Sequence, residues 1–236
     1  MSQTRAGFAA EEEIRIILRD RIDNARLSTG IVASSFDSSR QNIATYGRSG
    51  SANDHPLDGD TVFLEGSTTV FELARRLIHR HRLTVVTNSP TIVCELQRSP
   101  GVTVLCTGGD LQKDTFYLSG EWAQRALSEI RLDKAILGVS AIDPQYGVST
   151  ANHAEAQIKR MVTKAAKTRI ALADHGKFGM QCFAYVGPVT DFNILVTDSS
   201  TDPRFIRELQ DSGLQVIIAE AGSAKATTHA HSTKKH

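Results

Sequence analysis

Short apolar, β-branched runs recur along the middle of the chain with almost no polar alternation: TVFL, LTVVT, VTVLC, KAILGVS, RIALAD, ILVTD and LQVIIA. A strand with one wet face alternates apolar and polar residues. These runs do not, so they predict strands covered on both faces, as in a parallel sheet. Between them the apolar positions take helical spacing over 70–78, 91–96, 122–130, 154–166 and 203–210. Regular strand–helix–strand alternation predicts an α/β domain over residues 59–219, a Rossmann-like parallel sheet flanked by helices. In such sheets ligands collect beyond the carboxyl ends of the strands.

The flanking pieces differ in character. In residues 1–58, EEEIRIILRDRI sets Ile14, Ile17, Leu18 and Ile22 at helical spacing behind acidic residues that suit a helix N-terminus. GIVASSF and NIATYG predict a hairpin around DSSR, and RSGSANDHPLDGD predicts a connector. Residues 220–236 are small and polar without period, which predicts a disordered tail. Its histidines His229, His231 and His236 would hold a metal weakly, so no metal site is expected.

Composition narrows the classes. The chain has 236 residues, 40% hydrophobic and 22% charged, an ordinary globular balance. Its 27 basic and 26 acidic side chains give a net charge of +1, so no global positive field is available for non-specific duplex binding. Cys94, Cys106 and Cys182 lie far apart in apolar surroundings, which predicts buried, reduced thiols rather than a disulfide framework or a zinc site. The N-terminus has no apolar signal-peptide core, and no run approaches the roughly 18 apolar residues needed to cross a bilayer. A cytoplasmic protein without membrane contact is expected, with no cofactor.

The chemistry gathers in the loops after the strands. FLEGSTTVFELARRL passes from a strand end into a helix through Gly66, Ser67, Thr68 and Thr69. Free backbone N–H groups at the positive end of a helix, with three hydroxyls beside them, can cradle an anion. Plain helix capping by Ser67 or Thr68 accounts for the same residues without a ligand. Asn88 and Ser89 offer amide and hydroxyl partners after the second strand, and Gly108 and Gly109 permit close backbone approach after the third. Ordinary turn chemistry explains both stretches equally well. Ser140 and Asp143 follow another strand end, Asp143 as a ligand carboxylate or a solvated turn. Glu155 and Lys159, four residues apart, read as a stabilising helical pair. Asp174 and Lys177 stand in a glycine-bracketed loop that Phe178 can anchor, with Lys177 suited to neutralise a phosphate and Asp174 to hold it or a sugar hydroxyl.

Ser67 also invites a nucleophile reading, because GIVASSFDSSRQNIATYGRSG and PLDGDTVF resemble the opening hairpin of β-lactamase-like serine hydrolases. In that family a lysine follows the serine by three residues. Here Val70 occupies that place and the hydroxyl has no base, so no catalytic residue is assigned.

From Leu64 onward five stretches follow one another in order: LEGSTTVFELARRL, LTVVTNSPTIVCEL, VLCTGGDLQKDTFYLSGEWA, LDKAILGVSAIDPQYGVSTANHAEAQIKRMV and ALADHGKFG. Together they resemble the effector-sensing domain of DeoR-type sugar-operon repressors. The resemblance implies a fold shared with ribose-5-phosphate isomerase and glucosamine-6-phosphate deaminase. It implies a phosphorylated sugar as effector, a homo-oligomer as the working form, and Glu155, Asp174 and Lys177 as ligand contacts. Repressors of this kind carry an N-terminal winged helix-turn-helix, and residues 1–58 show no basic recognition helix, so DNA is implied by family association only. The related deaminases place a histidine shortly after the aspartate matching Asp143, where Pro144, Gln145 and Tyr146 stand here. A sensor is therefore expected over the alternative, a phosphosugar isomerase or deaminase. The role of His175 stays open.

Overall fold

The computed structural model describes residues 57–219, except Asp114 and Phe116. The helix, hairpin and most of the connector expected up to residue 58, and the tail expected from residue 220, fall outside these described residues.

The chain order is β1 (Thr61–Leu64), α1 (Thr68–Arg76), β2 (Leu83–Thr87), α2 (Pro90–Leu96), β3 (Val102–Cys106), β4 (Asp110–Gln112), β5 (Tyr117–Ser119) and α3 (Glu121–Ser128). Then follow β6 (Leu132–Gly138), β7 (Ala141–Asp143), β8 (Gly147–Thr150), α4 (His153–Ala165), β9 (Ala166–Leu172), β10 (Ala184–Gly187), β11 (Ile194–Asp198), α5 (Pro203–Asp211) and β12 (Gln215–Ala219). Each apolar run of the sequence contains a strand of one seven-stranded sheet, ordered β12-β11-β9-β6-β1-β2-β3, with every pairing parallel.

Both faces of the inner strands are dry, as the missing alternation requires, while the edge strands β3 and β12 are partly exposed. Val62, Leu64, Val85 and Ile136 point to one face and pack with Val70, Leu73 and Ala74 of α1 and Ile92 and Leu96 of α2. Phe63, Ala135, Leu137, Ala171 and Leu195 point to the other, under Ala123 and Leu127 of α3, Ala156 and Val162 of α4 and Leu209 of α5. Serine, asparagine and aspartate start four of the five helices: Ser67 caps α1, Ser89 caps α2, Asn152 caps α4 and Asp202 caps α5, each accepting a backbone N–H with its side chain, while α3 starts at Gly120.

Two small sheets escape the pattern of the sequence. β4 pairs with β5, and β7, β8 and β10 form a three-stranded antiparallel sheet. These strands are three or four residues long, too short for an alternation to register. The thiols also depart from expectation: Cys94 and Cys106 are exposed and Cys182 is half-buried. β3 is an edge strand, so Cys106 lacks the cover that the inner strands enjoy.

Strand order places the site. From β1 the chain moves outward through β2 and β3, then returns to the other flank of β1 as β6 and proceeds outward through β9, β11 and β12. The order reverses between β1 and β6. Connections there leave to opposite sides, and beyond the carboxyl ends of the strands at such a point α/β sheets bind ligands.

Candidate functional site at the β1–β6 crevice

The turn leaving β1 is held from three directions. The Glu65 N–H donates to the Ile136 carbonyl of β6 at 3.2 Å, the Gly66 N–H to Asn88 Oδ1 at 3.0 Å, and the Ser67 N–H to the Glu65 carbonyl at 2.8 Å. Gly66 is required here, since a Cβ would stand 2.8 Å from the Tyr117 Cβ. Ser67 Oγ accepts from the Val70 N–H at 3.3 Å, so it caps α1. The N–H groups of Thr68 and Thr69 find no acceptor among the described residues. Capping and anion binding therefore draw on different donors: the cap takes the third turn amide and leaves the first two pointing out of the helix. The N-terminus of α4 lies at the same edge, with His153 and Ala154 N–H likewise unaccepted among the described residues.

Beneath the turn lies a buried ionic cluster. Lys159, on the inward stripe of α4 with Ala156 and Val162, keeps 1% of its side chain exposed. Its Nζ lies 2.7 Å from Glu65 Oε1 and 3.0 Å from Glu155 Oε1, and donates to the Gly138 carbonyl. Glu65 Oε2 accepts the Gly138 N–H at 3.0 Å. One lysine thus joins the β1 turn, the end of β6 and the first turn of α4. Burial works against its charge, but the Glu65 and Glu155 carboxylates outweigh that and hold its pKa above the ordinary lysine value. The helical pair expected between Glu155 and Lys159 is present and is part of this buried cluster, because residue 159 falls on the apolar side of its helix.

Around the cluster several predicted ligand groups are engaged by the protein. Asn88 is buried, accepting from Gly66 and donating from Nδ2 to the Leu118 carbonyl at 3.2 Å. Ser89, also buried, caps α2 and meets Thr91 Oγ1 at 2.8 Å. Gly109, at φ +111°, lets the Ser119 carbonyl approach to where a Cβ would be 2.2 Å away, whereas Gly108, at φ +68°, faces open space. Ser140 Oγ lies 3.1 Å from Thr150 Oγ1. Asp143 Oδ1 accepts from the N–H groups of Gln145 and Tyr146 at 2.8 and 3.0 Å, a turn carboxylate.

The Asp174–Lys177 loop follows β9, two strands from β1 and at the same edge, a lateral separation of roughly 10 Å. Phe178 is buried, bridges to Ile142 and lies 5.8 Å, centroid to centroid, from Phe205. Asp174 does not pair with Lys177: its Oδ1 accepts the Gly176 N–H at 3.0 Å, and Lys177 has no side-chain partner among the described residues. Beside them His175 donates its N–H to Asp198 Oδ2 at 2.7 Å, while its Nδ1 lies 3.0 Å from Asp198 Oδ1. Ser200 N–H donates to the same carboxylate at 2.8 Å. Burial disfavours the ionised Asp198, but these amides and the imidazole outweigh it and hold its carboxyl below the ordinary value. Its contribution is then present above the unfolded carboxylate pKa and lost as pH falls through the depressed one. Asp198→Asn is expected to cost about 1–3 kcal/mol at neutral pH, with the gap closing below about pH 4; urea denaturation at pH 7 and pH 3 checks this.

Sequence reading missed Glu65, Tyr117, Asn152 and Asp198, and paired Lys159 with Glu155 without its second partner, Glu65. Tyr117 donates to Asn152 Oδ1 at 2.9 Å, and Asn152 Oδ1 also accepts the Glu155 N–H at 2.8 Å. Lys159 alone had a legible signal, a charge on an apolar helical stripe. Two surface grooves lie elsewhere, one of about 640 Å³ between α1 and α2 beside Phe71 and Cys94, the other of about 340 Å³ between β3 and α3. Among the described residues no helix is long and apolar enough to cross a membrane.

Comparison with known proteins identifies relatives of this chain. The profile described as "DeoR C terminal sensor domain" matches residues 49–199. The HTH-type transcriptional repressor GlcR of Bacillus subtilis is 33% identical over 168 residues, 71% of this chain and 64% of its own length. The HTH-type transcriptional regulator GlpR of Haloferax volcanii is 32% identical over 161 residues, 68% of this chain and 62% of its own. The chain thus spans a little under two thirds of these curated relatives. Among solved structures, RipA from Yersinia pestis aligns with a TM-score of 0.41 and 13% identity over 66% of this chain and 49% of that one. Ribose 5-phosphate isomerase from Plasmodium falciparum aligns with a TM-score of 0.36 and 14% identity over 52% and 46%. With a sensor-domain match over more than half its length, the chain belongs to the DeoR family of transcriptional regulators.

Proposed function

We propose that the chain is the sensing part of a cytoplasmic regulator of carbohydrate metabolism, and that its effector is a phosphorylated sugar bound in the β1–β6 crevice. The observation that carries this reading is the pair of unaccepted amides at Thr68 and Thr69, sited where the strand order reverses. They face a dianion with the positive end of α1 behind them. Gly66, Ser67 and the Thr68 and Thr69 hydroxyls complete the cradle. Lys177, on the same edge and with no side-chain partner among the described residues, supplies the compensating cation. Ser140, Glu155 and Asp174 receive sugar hydroxyls, while Asn88, Ser89, Gly108, Gly109 and Asp143 shape the surrounding turns.

Ligand binding acts by population shift, stabilising one arrangement of the edge loops and of the interface between identical subunits. In the regulator this loosens the hold on operator DNA, a role that reaches this chain through family membership. A thermal-shift screen of sugar phosphates tests the reading. At least one compound is expected to raise the melting temperature by several degrees, and Lys177→Ala is expected to remove that response while leaving the unliganded protein as stable as before. A screen without any shift, or a full response in Lys177→Ala, counts against it. Turnover of any compound in the same panel would favour an isomerase or deaminase instead.

A further inference from the structure

The edge of the large sheet formed by β3 is unguarded. Among the described residues no strand pairs with its outer side, since β4 pairs with β5 instead. Edge strands are commonly blunted by a lysine, a proline or a bulge. β3 reads VTVLC, with no charge and no proline, and its register with β2 runs unbroken from Val102 to Cys106. Its last two residues, Leu105 and Cys106, are exposed. Beside them α3 turns an apolar stripe outward. Trp122 is 73% exposed, and Ala126 and Ile130 follow at four-residue intervals and line a groove with Leu105 and Cys106. Leu111, just past the edge strand, is exposed as well.

We propose that a second copy of this chain docks on this edge about a two-fold axis, with β3 antiparallel to the partner's β3 and Trp122 packed against the partner's Ala126 and Ile130. An oligomer implied by resemblance says nothing of where its copies meet. Charge fits this arrangement. α3 carries Arg125 and Glu129 exposed and four residues apart, and a two-fold that runs the helices antiparallel sets each against its opposite on the other copy. Area fits it too. Trp122, Leu105 and Leu111 present roughly 300–400 Å² of apolar surface, comparable to the largest patch a monomer carries. A stable interface takes about 800 Å² from each partner. The five-residue edge, roughly 17 Å long, and the flank of α3 supply the remainder. At the opposite edge β12 exposes one large apolar side chain, Ile218.

Sedimentation velocity and fluorescence of the full chain test the proposal, because Trp122 is its only tryptophan and reports on this face alone. At least a dimer is expected, with Trp122 shielded from iodide. Trp122→Ala is expected to weaken dimerisation at least about tenfold. Arg125→Glu is expected to weaken it about threefold or more, and adding Glu129→Arg to recover it. All three side chains are largely exposed, so these changes leave the fold intact. A monomer overturns the proposal, as does an oligomer whose Trp122 is quenched as freely as tryptophan in solution. A dimer that survives Trp122→Ala unchanged overturns it too, and loss of that dimer in Phe183→Ser places the meeting of copies at the small sheet, where Phe183 is 86% exposed. An Arg125→Glu effect that Glu129→Arg does not recover overturns the antiparallel arrangement. Each of these results leaves the phosphosugar reading untouched.

Discussion

Lys159→Met is expected to cost about 3–5 kcal/mol of folding stability. The substitution keeps most of the aliphatic volume and removes the ammonium. Two carboxylates are then left in a space where Glu65 keeps 4% and Glu155 14% exposure, and the Gly138 carbonyl loses its donor. Unpaired buried charge is among the few single changes that reach this size. A typical domain has about 5–15 kcal/mol in total, so the variant sits near the threshold of folding. Adding Glu65→Gln and Glu155→Gln to it is expected to recover most of the loss, since amides leave no charge to bury. Urea denaturation of the wild type, the single variant and the triple variant checks this. A Lys159→Met protein as stable as wild type would mean that the cluster is not ionised as described. The wild type carries a pH signature too. A lysine whose folded pKa is raised contributes stability that is complete below the unfolded value and lost as pH rises through the folded one, so the loss belongs above about pH 10.4.

Gly138→Ala is expected to remove ligand binding and to cost about 1–3 kcal/mol. A Cβ at this position would stand 2.4 Å from Ser67 Oγ, 2.8 Å from Ser67 Cβ and 3.3 Å from Glu65 Oε2. Relief requires the β1 turn to move off the end of β6, which pulls Ser67 from its cap and turns the Thr68 and Thr69 amides away. The two losses separate by measurement, stability by urea denaturation and binding by titration with the best sugar phosphate of the screen. Unchanged affinity would show that the contact between β6 and the turn does not set the cradle.

The fold was legible where the signal was long. Strands such as LTVVT and ILVTD lie inside a sheet dry on both faces, and their unbroken apolar character says so. Strands such as β7, three residues long, carry no period to read. Helix starts were legible in the loops, and the buried cluster beneath them was not. GSTT announces a helix N-terminus because hydroxyl residues cap helices, and Ser67 does so. Glu65 sits one residue before that stretch and Lys159 lies 94 positions along the chain from it. Nothing local to either residue announces the other, because their meeting depends on β1 and β6 becoming neighbours. Asn88 shows the converse: an amide after a strand looks free in the sequence, and tertiary packing has spent both its ends.

A crystal structure of the chain with its best-binding sugar phosphate decides where the anion is held. The phosphate oxygens are expected within hydrogen-bond distance of the Thr68 and Thr69 N–H groups, with the Lys177 ammonium turned toward them across β6. A phosphate bound anywhere else, such as the groove beside Phe71 and Cys94, would contradict the account.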